Sequence, residues 1–165
     1  MPFEQDIAHF LEHHPEAPGQ AIVATRLLMR AATLMREHLD QALEPHGLAM
    51  RDYLALAIIS LHEAQTLRPS DLSVSLDATR TQITRLIDGL VDKGLVLRLH
   101  STEDRRALQL RLTEDGGRLV AAVAPQVHAA YQQAWADTGD LEATLQSLRR
   151  INQRLQSGPE PEDAP

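Results

Sequence analysis

The chain contains no cysteine, and this absence excludes several classes of chemistry at once. Among its 165 residues there is no thiol for a disulfide, a thiolate nucleophile or a cysteine redox sensor. No apolar run approaches the roughly 18 residues of a membrane span. The acidic start, MPFEQDIAHFLEHH, lacks the basic segment of a signal peptide. We therefore expect a cytoplasmic protein without a membrane partner.

Aromatic residues are also scarce, which leaves few side chains on which a ligand ring could stack. The five are Phe3, Phe10, Tyr53, Tyr131 and Trp135. The sequence shows no nucleophile elbow, no glycine-rich phosphate loop and no acid paired with a positioned base. We therefore expect neither an enzyme nor a bound cofactor.

Charge is distributed unevenly along the chain. The net charge of −7 argues at first sight against a nucleic-acid partner. Residues 79–112, however, contain seven basic and four acidic residues, so this stretch carries +3 and the other 131 residues carry −10. A local basic face on an acidic body suits contact with phosphates, whatever the overall charge.

The spacing of apolar residues predicts long helices at both ends of the chain. One helix is expected over 20–44, ended by Pro45 and Gly47, and a second over 50–63, with one face formed by Leu54, Ala57, Ile58 and Leu61. A long helix should follow Thr113 to about residue 136. The last helix, about 140–156, carries a heptad-like apolar seam made of Leu141, Leu145, Leu148, Ile151 and Leu155.

The middle of the chain predicts two helices joined by a tight turn. Pro69 starts a short helix that ends near Leu76, and Asp77 makes the turn. Thr79 can cap the next helix, which Gly94 closes. That helix turns apolar residues inward at i, i+3, i+4 and i+7, whereas its first turns are crowded with polar side chains: Arg80, Thr81, Gln82, Thr84 and Arg85.

A β-hairpin is expected next, with strands at 95–99 and 107–112 and a polar loop at 100–106. The loop places Asp104, Arg105 and Arg106 where they bury nothing. The helices and the hairpin together predict a mainly α fold with a small β-hairpin wing, that is, a winged helix-turn-helix.

This pattern has a direct physical use on double-stranded DNA. A helix fits the major groove, and residues at its N-terminal end reach the base edges through hydrogen bonds. Thr79, Arg80, Thr81, Gln82 and Arg85 occupy that end. A hairpin beside such a helix reaches the flanking minor groove, whose negative potential attracts arginine. Asp104 can orient the guanidinium of Arg106 by a forked hydrogen bond.

The chain resembles the MarR family of transcriptional regulators over roughly residues 20–156. The resemblance is carried by HGLAMRDYLAL, LRPSDLSVSL, TRTQITRLIDGLVDKGLVLR and STEDRRALQLRLTEDG. It looks most like the branch that represses multidrug-efflux or aromatic-compound genes. Two departures are Asp77, where the family usually has glycine, and Ala49, where the family usually has a Thr or Ser cap.

The resemblance implies a homodimer that represses from a pseudo-palindromic operator and is released by a small anionic aromatic effector, a carboxylate or a phenol. It implies dimerisation helices (19–48 and 113–156) and a DNA-binding lobe (49–112). The prolines of residues 1–18 indicate an N-terminal arm, and the polar, proline-rich tail (157–165) is expected to be disordered. By analogy of fold, the effector pocket would lie between the lobe and the dimerisation helices. Its candidate lining residues are Arg30, His46, Met50, Arg51 and Tyr53.

Three alternatives remain open from the residues alone. The net acidity also fits a winged helix that binds protein instead of DNA. The C-terminal seam could be intramolecular core instead of a dimer seam. His9 and His13, spaced i, i+4, could indicate a metal-responsive regulator, although no cysteine or carboxylate constellation accompanies them, and we assign no metal ligand.

Overall fold

The computed structural model describes residues 2–62, 67–100 and 108–157, which form seven α-helices and one two-stranded antiparallel sheet. In chain order the elements are α1 (Pro2–His13), α2 (Gly19–Leu43), α3 (Met50–Leu61), α4 (Pro69–Ser75), α5 (Arg80–Asp92), β1 (Val96–His100), β2 (Leu108–Leu112), α6 (Glu114–Trp135) and α7 (Leu141–Ser157), with a single 3₁₀ turn at Glu44–His46. The mainly α fold with a β-hairpin is confirmed. The chain divides into two compact units, residues 1–130 and residues 131–165.

The first unit has one hydrophobic core, built from the helix-turn-helix and the elements around it. Its fully buried side chains come from the end of α2, from α3, α4 and α5, from β1, and from the middle of α6: Leu43, Leu56, Ile59, Leu72, Ile83, Ile87, Leu90, Val96, Val123 and Val127. The strands pair from Val96 opposite Leu112 to His100 opposite Leu108. Leu67 extends the sheet by one bridge, because its carbonyl accepts the Leu110 N–H at 3.0 Å.

The turns of the helix-turn-helix form as the sequence predicts. Asp77 has a φ of 45° and Gly94 a φ of 70°, both in the left-handed region. Aspartate tolerates this geometry better than most residues with a Cβ, so the departure from glycine at position 77 leaves the turn intact. Gly47, with a φ of 65°, ends the 3₁₀ turn after α2.

The start of α3 is held without a capping side chain at Ala49. The Asp52 carboxylate accepts the Ala49 N–H at 3.2 Å, and the Asp40 carboxylate of α2 accepts the Met50 N–H at 2.6 Å. Two aspartates therefore satisfy the amides of Ala49 and Met50, whereas a Thr or Ser at position 49 would accept from an amide further into the first turn.

The face predicted for α3 is buried only in part. Leu54, Ala57 and Ile58 are partly buried against the core, whereas Leu61 is 81% exposed. The buried residues of this helix are Met50, Tyr53, Ala55, Leu56 and Ile59. The helix is apolar on more than one face, so apolar spacing alone does not show which face the core covers. The strand bounds also shift slightly, since Leu95 precedes β1 and His100 belongs to it.

In the second unit, α7 buries none of its residues. Its apolar seam is spaced as predicted, and four of the five seam residues are exposed: Leu141 41%, Leu145 36%, Ile151 43% and Leu155 77%. Within this chain the seam is therefore not a core, which answers one of the alternatives above.

Candidate DNA-binding surface

The helix α5 separates an apolar face from a polar one. Ile83, Ile87 and Leu90 are buried, and their spacing places them on one side. The residues predicted to contact DNA are all exposed: Thr79, Arg80, Thr81, Gln82, Thr84 and Arg85. The structure therefore brings these six side chains together at the N-terminal end of one helix.

Two of these residues also hold the helix start. The Thr79 hydroxyl accepts the Gln82 N–H at 3.3 Å, and the Gln82 side-chain carbonyl accepts the Thr79 N–H at 3.0 Å. This reciprocal capping box satisfies two amides that the helix leaves open. The Thr84 hydroxyl donates back to the Arg80 carbonyl at 2.9 Å.

The remaining polar groups of this surface have no partner among the residues that the structure describes. The side chains of Arg80, Thr81 and Arg85 form no hydrogen bond or ion pair with any residue in the described ranges. The charges of the two arginines are thus not compensated by any described residue, and contact with phosphates and base edges needs such charges.

The hairpin beside α5 is fastened to it by an ion pair that the sequence did not reveal. Arg98 on β1 lies 2.5 Å from the Asp88 carboxylate on α5. Arg98 was counted in the basic stretch, but its charge is compensated by this partner. Arg111 on β2 is exposed. The loop residues Asp104, Arg105 and Arg106 lie outside the described residues, so their role stays a prediction.

The far end of α5 is tied to the corner between α2 and α3. Lys93, the single lysine, donates to the Gly47 carbonyl at 2.8 Å and to the Asp52 carboxylate at 3.2 Å. Asp52 also caps α3, so one carboxylate joins the two helices. This corner borders a cavity of about 600 Å³ that four carboxylates line: Glu37, Asp40, Glu44 and Asp52.

The five candidate effector residues do not form one cluster. Met50 and Tyr53 belong to the core, and burial raises the pKa of the Tyr53 phenol. Arg51 is exposed, and His46 Nε2 lies 2.9 Å from the side-chain oxygen of Gln126. Arg30 lies thirteen residues before the end of α2, about 20 Å away along the helix. The acidic cavity at the corner, moreover, would repel an anion.

The N-terminal histidines pack against each other and their neighbours. The rings of His9 and His13 lie 4.4 Å apart, and His13 Nδ1 lies 2.8 Å from the His9 carbonyl. Among residues 2–62, 67–100 and 108–157, no group of three or more His, Asp or Glu side chains is placed to hold a metal ion. The helices within the same ranges are too short or too polar to cross a membrane.

Comparison with known proteins assigns the family. The profile of the MarR family matches residues 46–108. The transcriptional repressor MprA of Escherichia coli K12 is 32% identical over 163 residues, which cover 95% of this chain and 93% of MprA. The chain belongs to the MarR family. As a MarR-family protein it is a DNA-binding transcriptional regulator with a winged helix-turn-helix, and not an enzyme.

Two solved structures of similar fold contain a bound partner, DNA in one and a small molecule in the other. A mutant of MarR from Escherichia coli, complexed with operator DNA, superimposes with a TM-score of 0.71 at 26% identity and covers 82% of this chain and 96% of that one. CouR from Rhodococcus jostii RHA1, bound to p-coumaroyl-CoA, gives a TM-score of 0.68 at 25% identity, covering 84% and 95%. The recognition of the family from sequence motifs is thus confirmed.

Proposed function

We propose that this MarR-family protein binds a pseudo-palindromic operator as a homodimer and leaves it when a small anionic aromatic effector binds. Residues 49–112 form the DNA-binding lobe, and the segments 19–48 and 113–156 provide the dimerisation helices. Because such a repressor must reach its operator DNA, we infer that it acts in the cytoplasm. The assignment to the efflux or aromatic-compound branch stays a prediction.

The observation that carries DNA contact is the polar face of α5, whose arginines have no partner in the described ranges of the chain. Arg80, Thr81 and Arg85 are exposed at its N-terminal half, with the apolar face held in the core behind them. Arginine can bind guanine with two hydrogen bonds, and each such pair discriminates between bases by roughly 1–3 kcal/mol. The related MarR mutant is complexed with operator DNA, which supports the same use of this surface.

The exposed seam of α7 supports dimerisation. Leu141, Leu145 and Ile151 keep a third or more of their surface in water, at a spacing that places them on one helix face. A helix that exposes such a seam is stabilised when a second copy covers it. A two-fold dimer would present two α5 helices about 34–36 Å apart, one turn of DNA.

Release by an effector needs only a modest coupling free energy between effector binding and operator binding. A coupling of roughly 1–3 kcal/mol weakens DNA binding by about 5–150-fold. CouR is bound to p-coumaroyl-CoA, which supports a small-molecule effector for a protein of this fold.

The DNA claim is tested with an operator selected from random duplexes by the wild-type protein. We expect Arg85→Ala to weaken binding to that operator by about tenfold, the lower range for loss of a bidentate base contact, and Arg106→Ala to weaken it severalfold. Arg118→Ala is the charge-matched control, because Arg118 is already paired with Glu114 and Asp115. Equal affinity of all three variants would refute the assignment of this surface.

The salt dependence of duplex binding distinguishes this proposal from the alternative, a winged helix that binds protein instead of DNA. Contact with several phosphates makes log K fall steeply with log salt. Absence of measurable duplex affinity at low salt would favour the protein-binding alternative. Dimerisation is tested by light scattering, where Ile151→Glu should shift the mass towards one chain.

A further inference from the structure

One face of α5 carries an acidic residue together with residues assigned to DNA contact. Thr81, Arg85 and Asp88 are spaced i, i+4 and i+7, so they share one face of the helix. The buried Ile83 and Ile87 lie on the opposite face. A carboxylate on a surface that meets phosphates repels them. The charge of Asp88 must therefore be compensated if this face is to bind DNA.

Asp88 has two arginines as possible partners, one on its own helix and one on the hairpin. Arg85 precedes it by three residues, and side chains at this spacing are neighbours that can form an ion pair. Arg98 of β1 lies 2.5 Å from the Asp88 carboxylate. In the structure Asp88 pairs with Arg98, and Arg85 has no partner among the residues described. The two arginines thus compete for one carboxylate.

The sheet fixes the position from which Arg98 reaches α5. Arg98 lies opposite Leu110 in the hairpin, and side chains of opposite residues project from the same side of a sheet. Leu110 is buried, as is Val96, which lies two residues before Arg98 on that side. Only 33% of the Arg98 side chain is exposed. A packed stem therefore holds its guanidinium at Asp88, whereas the side chain of Arg85 is exposed.

We propose that Arg98 is a positioning residue for DNA recognition, because it binds Asp88 and keeps this carboxylate from pairing with Arg85. The Arg85 guanidinium then keeps its forked donors for a base in the major groove. Without Arg98, the Asp88 carboxylate would pair with Arg85 and would also face the phosphates. The proposal rests on the function above, since it concerns how Arg85 becomes available to the operator.

Operator affinity is measured by fluorescence anisotropy at fixed salt, on the duplex selected by the wild-type protein. We expect Arg98→Gln to weaken binding by about twofold to fivefold, the range of an exposed ion pair. The double variant Arg98→Gln/Asp88→Asn should regain the wild-type affinity. Arg98→Gln/Asp92→Asn is the matched control, because it restores the same net charge on the same helix, although Asp92 lies two turns from Arg85. This control should stay as weak as Arg98→Gln.

Two further measurements distinguish positioning from a merely structural role. In the Arg85→Ala background, Arg98→Gln should cause no further loss of affinity, because no arginine is left for Asp88 to capture. Without DNA, the exchange of the Arg85 Nε proton with water is followed by NMR. This exchange should be slower in Arg98→Gln than in the wild type, because the proton is then bonded to Asp88. It should recover in Arg98→Gln/Asp88→Asn.

Three results would overturn the proposal. If Asp88→Asn does not rescue Arg98→Gln, Arg98 contacts DNA itself or serves only to attach the hairpin to α5. If Asp92→Asn rescues equally well, only the net charge of the helix matters. If the Arg85 proton exchanges at the same rate in the wild type, in Arg98→Gln and in the double variant, Asp88 does not bind Arg85 when Arg98 is absent.

The same proteins separate this proposal from the one on which it rests. Wild type that binds no duplex would refute the DNA function, while the NMR comparison would still decide whether Arg98 keeps Asp88 from Arg85. Wild type whose operator binding is weakened by Arg85→Ala but not by Arg98→Gln would support the DNA function and refute the positioning role.

Discussion

Replacing Gly116 by alanine tests how closely the start of α6 packs against the base of the wing. A Cβ at this position would lie 2.2 Å from the Leu95 carbonyl oxygen and 3.1 Å from its carbon. A carbon and a carbonyl oxygen ordinarily stay about 3.3–3.6 Å apart, so the backbone must move by about 1 Å. The same oxygen accepts the Thr113 N–H at 3.0 Å, which resists that movement.

Two opposing effects set the magnitude for Gly116→Ala. Alanine in place of a helical glycine stabilises by roughly 0.4–1 kcal/mol, largely by restricting the unfolded chain. Overpacking against the backbone costs about 1–3 kcal/mol. The overlap with a fixed carbonyl should dominate, and we expect a net loss of about 1–2 kcal/mol in the free energy of unfolding.

Gly117 provides a matched control in the same turn. A Cβ there meets nothing within 4 Å, so Gly117→Ala keeps the gain of roughly 0.4–1 kcal/mol without the clash. At about 2–4 °C per kcal/mol for a chain of this size, Gly116→Ala should lower the Tm and Gly117→Ala should raise it. Both are followed by far-UV circular dichroism at one protein concentration. A Gly116→Ala protein as stable as Gly117→Ala would refute the packing argument.

Three further outcomes follow from single contacts. Asp77→Gly should be at least as stable as wild type in urea, whereas Asp77→Ala should lose about 1 kcal/mol, because alanine fits a positive φ poorly. Lys93→Met should cost no more than about 1 kcal/mol, the value of an exposed pair, and a double-mutant cycle with Asp52→Asn should show the coupling. Burial raises the pKa of Tyr53, so its contribution to stability is present below pH 10 and is lost as the pH rises further. Tyr53→Phe should therefore lose less stability between pH 9 and pH 11 in urea titrations.

Much of the DNA-binding lobe could be predicted from the sequence because its signals are local. The apolar period of α5 separates inside from outside, and Thr79, Asp77 and Gly94 mark its boundaries. Each of these features depends on residues within one turn of each other. The apolar face of α3 was predicted only in part, because that helix is apolar on several sides and its burial depends on where its neighbours lie.

The contacts that hold the lobe together could not be predicted, because they join residues on different elements of the fold. Arg98 and Asp88 are on different elements, and Lys93 reaches a carbonyl 46 residues earlier. A charged residue in a sequence has many possible partners, and only the fold selects one. The same holds for Phe3, whose contact with Arg30 depends on how α1 returns along α2.

Gln82 fits two different roles, helix capping and base contact, and the sequence alone does not distinguish between them. A glutamine three residues after Thr79 is typical of a capping box, and a glutamine near the start of a recognition helix is typical of adenine contact. The structure uses its side-chain oxygen for the cap, which leaves the amide N–H groups for DNA. An adenine contact needs both a donor and an acceptor from the amide. The Gln82 oxygen already accepts from both the N–H and the hydroxyl of Thr79, so Gln82 must give up one of these two bonds to read adenine in that way. Arg80 and Arg85 have no such competing use among the described residues, and sequence preference should therefore depend on them more than on Gln82.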